Sequence, residues 1–192
     1  MGASASVSLC VSSAAVADVC LLPRYLTLPK LPHGCVFGVP LGTLREDGRM
    51  ICGVPVVLRD MVEFLNRKGM HHRGLFRLCS SVVRTRQLRR RWDCGERVDL
   101  EHEGDVPTVA SLLKLFLREL DLGLASRCLI QWFYSKRTNL SLIQENLCRL
   151  PDDNFIILSY LVHFLSRVAA HSQSNHMPME NLATIFGPCL FQ

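Results

Sequence analysis

The side chains whose types and spacing suit chemistry are a few cations and one amide. Arg77 closes the run Gly74-Leu75-Phe76-Arg77, and Lys114 and Arg118 stand four apart in Leu112-Leu113-Lys114-Leu115-Phe116-Leu117-Arg118-Glu119-Leu120. Asn181 opens Asn181-Leu182-Ala183-Thr184-Ile185-Phe186-Gly187-Pro188. Guanidinium and ammonium groups donate hydrogen bonds and accept none, so such a set acts on negative charge. Other catalytic sets are missing from the sequence. It has no Gly-x-x-x-x-Gly-Lys-Ser/Thr phosphate loop, no Gly-x-Ser-x-Gly elbow and no carboxylates at metal-binding spacing. The nine cysteines form no Cys-x-x-Cys pair, and His71 and His72, being adjacent, point their rings in different directions. Reduced thiols, mostly in cores, are expected, and an enzyme acting alone is not.

These groups need elements to hold them. Pro55 suits a first helical turn and Gly69 a C-terminal cap, with Val57, Leu58, Met61, Val62, Phe64 and Leu65 at helical spacing between them. A second helix is predicted from about Val82 to Trp92, carrying Arg84, Arg86, Arg89, Arg90 and Arg91, and a third from about Thr108 to Leu120. On the third, Leu112, Leu113, Phe116, Leu117 and Leu120 share one face, and Lys114 and Arg118 sit together opposite. A fourth, about Asn154 to Ala170, is apolar on nearly every side and is expected at the centre of the core; a fifth begins near Met179. Asp47-Gly48 and Cys94-Gly95 read as turns, strands are hard to find, and the fold class is all-α, a helical bundle.

Composition bounds the rest. At 192 residues, 48% hydrophobic and 20% charged, the chain suits one globular domain plus a tail. Between Arg67 and Arg97 ten Lys/Arg face only Asp93 and Glu96, a surplus of eight in a chain whose net charge is +5. One face is therefore strongly positive and an acidic partner is implied. Residues 1–35 run from Ser, Ala and Val into Pro23, Pro29 and Pro32 without period and are expected to be a loosely ordered tail. Asp18 and the lack of an early basic residue argue against a secretory signal. The opening Met1-Gly2-Ala3-Ser4-Ala5-Ser6 fits the loose N-myristoylation pattern, as a chance match would too. A cytoplasmic location is expected, with peripheral membrane contact as an alternative.

The three cationic and amide-bearing runs occur in an order that resembles the RhoGAP family (Rho GTPase-activating proteins). That family shows a Gly-x-Phe-Arg segment, a Leu-Leu-Lys-x-Phe-Leu-Arg-Glu-Leu helix and an Asn-Leu-Ala-x-x-Phe-Gly-Pro segment. Phe37-Gly38-Val39-Pro40-Leu41, Gly53-Val54-Pro55 and Leu150-Pro151 with Leu158, Tyr160-Leu161 and Phe164-Leu165 look alike too, so the likeness covers roughly residues 36 to 192. It implies a RhoGAP-like helical bundle that docks on a Rho-family small GTPase, of Rho or Rac type or a close relative, and stimulates GTP hydrolysis in signal transduction. By the same resemblance, Arg77 falls on the family's catalytic arginine, Lys114 and Arg118 on its supporting basic pair, and Asn181 on its GTPase-contacting asparagine. No cofactor is implied, since GTP and magnesium belong to the partner. Alternatives stay open: a loop salt bridge for Arg77, a solvated basic face or a brace for the domain's own loop for Lys114 and Arg118, a helix cap for Asn181, and an inactive interaction module of the same fold. The arginines of residues 84–91 suit a solvated face that steers toward an acidic GTPase, or a membrane-surface or nucleic-acid binder, though no nucleic acid is expected.

The sequence departs from the family in four places, the first being Arg73-Gly74 where Glu-Gly is usual. Cys79-Ser80 stands where Ser-Gly is usual, which bears on how freely the loop turns. Asp121-Leu122-Gly123-Leu124-Ala125-Ser126-Arg127-Cys128 replaces a Pro-x-Pro-Leu turn, with the divergence running over 121–145. Cys189-Leu190-Phe191-Gln192 ends where the family pattern has a further helix, so an alternatively spliced or trimmed form of reduced stability is expected.

Overall fold

The computed structural model describes residues 34–120 and 150–190. Residues 1–33 of the predicted tail and the divergent stretch after Leu120 lie outside the described residues, as do Phe191 and Gln192. Among the described residues the chain forms eight helices and one two-stranded hairpin, in agreement with the all-α expectation.

Helix α1 (Leu41–Glu46) leads through Gly48, at φ +67°, into strands β1 (Met50–Ile51) and β2 (Val54–Pro55). The strands pair antiparallel, Met50 with Pro55 and Ile51 with Val54. Their two-residue turn puts Cys52 at φ 50° and Gly53 at φ 78°, the left-handed pair that tight hairpins favour. Strands of two residues show no alternation, which is why the sequence hides them. Gly53 also seats the hairpin, since a Cβ there would lie 2.9 Å from Ile156 Cδ1.

Helix α2 (Val56–Lys68) begins one residue after Pro55, which occupies the N-cap. Gly69 ends it at φ −100°, without the left-handed cap that glycine usually supplies; glycine is needed for room, because a Cβ would approach the Leu65 carbonyl oxygen to 2.8 Å. Helix α3 (Val82–Asp93) starts where predicted, with the Ser81 hydroxyl accepting the Arg84 amide, and stops before the Cys94-Gly95 turn (Gly95 φ +75°). Short helix α4 (Leu100–Glu103) follows. Helix α5 (Val106–Glu119) opens two residues before the predicted start. Asp105 caps it by accepting the Thr108 amide at 2.9 Å, and Pro107 fits the first turn.

Helices α6 (Asp152–Ala170), α7 (Ser172–Asn175) and α8 (Met179–Leu190) complete the fold. Among the described residues α5 packs against α2, α3 and α8, and α6 against strand β2, α7 and α8. Helix α6 buries one face (Ile157, Tyr160, Leu161, Phe164 and Val168), while Val162 is 55% exposed and His163, Ser166 and Arg167 face solvent. Apolar content alone overstates burial here, because a helix at the edge of a core needs only one apolar stripe. The cysteines also depart from expectation. Of the five described, only Cys189 is buried; Cys35, Cys52, Cys79 and Cys94 are exposed in loops and turns.

The start of the described chain is pinned onto α3. The Asp93 carboxylate accepts the Val36 and Phe37 amides at 2.8 and 3.1 Å. Buried Arg49 donates to the carbonyls of Gly34 and Cys35. Phe37 then packs edge-on to Phe116, with centroids 5.5 Å apart, and tilted against Trp92.

Candidate functional site

The segment after α2 turns tightly. His72 N–H bonds to Gly69 O, Leu75 N–H to His72 O and Arg77 N–H to Gly74 O, at 2.8 to 3.1 Å. Two of its residues lie in the left-handed region, Gly74 and Phe76, both at φ +72°. Glycine takes that conformation freely; for a bulky aromatic residue it costs on the order of 1–3 kcal/mol. The surroundings of Phe76 outweigh that cost. Its ring is buried edge-on to Phe186 of α8 (centroids 4.8 Å) and to Phe164 of α6 (6.2 Å), contacts worth about 0.5–1.5 kcal/mol each. Its carbonyl accepts a hydrogen bond from Lys114 Nζ at 2.8 Å, and a bond to a charged donor adds about 1.5–3 kcal/mol.

The next residue is Arg77. With Leu75 and Phe76 buried and the chain reversing at Gly74, Arg77 is exposed, and among the described residues its guanidinium makes no hydrogen bond or ion pair. The loop is anchored at Gly74 and Phe76, just before a cation that has no partner among the described residues. Ser80, where the family has glycine, does not enter the left-handed region, so the serine adds no backbone strain. The glycine that the geometry requires is Gly74.

Lys114 and Arg118 do lie opposite the leucine face of α5, but Lys114 is not a solvated cation. Loss of hydration pushes its ammonium below the ordinary lysine value, an effect that Cys189 opposes and Arg118 adds to. Arg118, one turn on, donates from Nε to the Lys114 carbonyl at 3.4 Å, and Cys189 of α8 donates from its thiol to the Ile185 carbonyl. Burial pushes the Cys189 thiol up, and the two cations work against that shift. The structure thus brings Lys114 to the Arg77 loop and leaves Arg118 exposed one turn on. Asn181 stands apart from this contact. It sits in the first turn of α8, inside the helix rather than at the cap, and its side chain is half-buried with no hydrogen bond among the described residues.

Most of the arginine run on α3 is used within the fold. Arg89 grips Glu119 with both guanidinium nitrogens at 2.8 and 2.7 Å and lies over the Phe37 ring at 5.2 Å. Arg91 pairs with Glu96 and Glu103, and Arg84 with the Glu103 carbonyl and Asp105. Arg86 and Arg90 remain exposed. The positive face that the sequence implies is correspondingly smaller than its charge count.

One supporting residue escaped sequence reasoning. Asn175 ends α7 and is fully buried; its Nδ2 donates to Met70 O (3.0 Å) and Val168 O (2.8 Å), and its Oδ1 accepts the Met177 amide at 2.8 Å. Its carbonyl accepts Gly74 N–H at 2.8 Å. The available signal was an asparagine in a polar run between two apolar helices, where its side chain can close a turn onto the amide two residues ahead.

Comparison with known proteins identifies the family and the fold. Residues 55–192 match the family model described as RhoGAP domain. The chain is 37% identical over 163 residues to the Rho GTPase-activating protein gacJJ of Dictyostelium discoideum, covering 82% of this chain and 18% of that protein. It is likewise 37% identical to the Rho GTPase-activating protein 24 of Mus musculus over 165 residues, 81% of this chain and 22% of that protein. The chain therefore spans about a fifth of the length of these relatives. Among solved structures it is similar in fold to human Rho GTPase activating protein 15, at a TM-score of 0.74 and 22% identity over 89% of this chain and 85% of that one. The BH domain from Graf, the GTPase regulator associated with focal adhesion kinase, gives 0.61 and 26% over 71% and 78%.

Proposed function

The chain belongs to the RhoGAP domain family, and from that premise we propose that it stimulates GTP hydrolysis by a Rho-family small GTPase, with Arg77 as the catalytic arginine supplied in trans. The observation that carries this reading is the pairing of a restrained backbone with an unengaged cation. Phe76 is held left-handed by its buried ring and by Lys114, and Arg77 stands exposed immediately after it.

Phosphoryl transfer to water spreads negative charge over the γ-phosphate oxygens and the leaving oxygen. A planar guanidinium reaches two of those oxygens at once, and a loop already in place loses little freedom when it does so. In GTPases such an arginine contributes about 10³–10⁵ in rate, roughly 4–7 kcal/mol. The chain performs no turnover alone; GTP and magnesium come with the partner. Lys114 holds the loop through Phe76, Arg118 and the exposed Arg86 and Arg90 add positive potential toward an acidic switch surface, and Asn181 hydrogen-bonds across the interface. Residues 36–192 form the unit that does this.

GTP hydrolysis by a panel of Rho-type and Rac-type GTPases, with the wild-type chain and with Arg77→Ala, tests the reading. Faster turnover that the substitution abolishes while binding persists is the expected result. Equal rates with and without the wild-type chain would refute activation, and a pull-down with a GTP-loaded partner would then separate a silent binding module from a non-binder.

A further inference from the structure

Arg77 can work only if the turn that carries it keeps its shape. Two of the supports of that turn are already described, the Phe76 ring and Lys114, and both act on the residue just before the arginine. A third acts at the other end, at Gly74, where the chain reverses at φ +72° and whose amide is bonded to the Asn175 carbonyl at 2.8 Å.

Asn175 is placed to do more than accept one bond. Its side chain is 0% exposed and uses one donor group on two carbonyls, Met70 at the start of the loop and Val168 near the end of α6. Its Oδ1 holds the Met177 amide, so the side chain closes a turn around His176, which takes a left-handed φ of 58°. That turn aims the Asn175 carbonyl at Gly74. No other side-chain type offers two donors and an acceptor at this length: aspartate lacks the donors, leucine lacks both functions, and glutamine is one methylene too long. The contact is extended at the surface, where His71 Nδ1 meets Ser174 Oγ at 3.1 Å and its ring stands edge-on to His171 with centroids 5.0 Å apart. Residues 70–74 and 171–177 are therefore stitched together from the buried Asn175 outward.

We infer that Asn175 is a positioning residue for Arg77, fixing the Gly74 reversal so that the arginine is presented in one place. The inference rests on the proposed role of Arg77. It concerns the geometry of the loop rather than contact with a GTPase, since Asn175 is wholly buried. Loss of the side chain frees the loop at its first turn, and the catalytic step suffers while the docking surface on α5 and α8 stays as it was.

The test uses the full chain with Asn175→Ala and Asn175→Asp, and with Arg89→Ala as a reference variant altered away from the loop. Two readouts are needed. The first, hydrogen exchange by mass spectrometry or NMR, involves no GTPase. We expect both Asn175 variants to exchange at least tenfold faster over residues 70–78 with the interior of α5 unchanged, and Arg89→Ala to leave 70–78 as in the wild type. The second is stimulated GTP hydrolysis, where the saturating rate should fall tenfold or more in both Asn175 variants while the half-saturating GTPase concentration stays within about twofold. A merely structural role would instead lower both in step with the folded fraction. If the alanine variant fails to fold, exchange in the unaltered protein decides: the Gly74 amide should exchange as slowly as the interior amides of α5. Unchanged exchange over 70–78 in the variants, normal behaviour of Asn175→Asp, or a Gly74 amide exchanging at the rate of free peptide would each overturn the inference. A wild-type chain that accelerates no GTPase would refute the functional proposal instead, and the exchange results would still decide whether Asn175 positions the loop.

Discussion

On α3, Arg89 lies over the Phe37 ring with both terminal guanidinium nitrogens on Glu119; on the preceding loop, Arg77 extends from a locked turn with its guanidinium unengaged among the described residues. The two share a charge, a side chain and a basic stretch of sequence. They differ in what the fold asks of them. Arg89 ties together α3, α5 and the chain start, so its charge is neutralised where it stands. At Arg77 the backbone and the preceding ring are held instead, which leaves the cation available. Charge counted along a sequence therefore overstates charge available to a partner, and a fixed backbone beside a free cation is the better mark of a site.

The comparison breaks most sharply at the two arginines. Arg77→Ala is expected to remove the stimulated hydrolysis, a loss of about 10³–10⁵ in rate, with the melting temperature unchanged. Arg89→Ala should do the reverse. It leaves Glu119 and Asp93 without their cation and is expected to cost about 1–3 kcal/mol in urea unfolding, while the saturating stimulated rate of the folded protein is retained. A slow Arg89→Ala enzyme complex would mean that α3 also serves the site and that the division between the regions is wrong.

Lys114 lies on the Arg77 side of that division, and Lys114→Met tests whether restraint of the loop matters in its own right. The substitution keeps most of the side-chain bulk and deletes the bond to the Phe76 carbonyl, leaving a partly buried acceptor unmatched, a change worth about 1–3 kcal/mol. We expect a 10- to 100-fold lower saturating rate with Arg77 intact. A change in GTPase affinity alone would assign Lys114 to docking.

The smallest effect concerns Asp60 of α2, where burial works on a charge with no comparable grip on it. Loss of hydration pushes its carboxyl from 3.8 up to about 6, against the opposing pull of Arg59. The folded protein holds this proton more tightly than the unfolded chain does. The associated stability is thus fully present below pH 3.8 and is lost as pH rises through 6. Asp60→Asn should consequently stabilise the fold by on the order of 2 kcal/mol at about pH 7.5, with the gain fading as the pH falls from about 6 and gone below about 4. Chemical denaturation across that range checks it. A gain that does not change with pH would show that the carboxylate is solvated or fully paired after all.

Much of the molecule was legible before folding, for local reasons. Helices α2, α3, α5, α6 and α8 lie within about two residues of their predicted spans because proline, serine, aspartate and glycine act on the chain beside them. Arg77, Lys114 and Arg118 were legible as residue types at fixed spacing. The hairpin was not, since two-residue strands carry no period, and neither was the one-sided burial of α6, which depends on what packs against a helix rather than on how apolar it is.

The sequence by itself determined the long helices, their order, the family and the identity of the cations, because each of these follows from interactions a few residues long or from a linear pattern. Only the tertiary structure decided which cations are free. Lys114 meets Phe76 across 38 residues and Asn175 reaches Met70 across 105, while Arg89 finds Glu119 across 30. Such pairings form only once packing removes water and brings distant carbonyls and carboxylates within hydrogen-bonding distance, and until then every arginine in the chain is equally solvated.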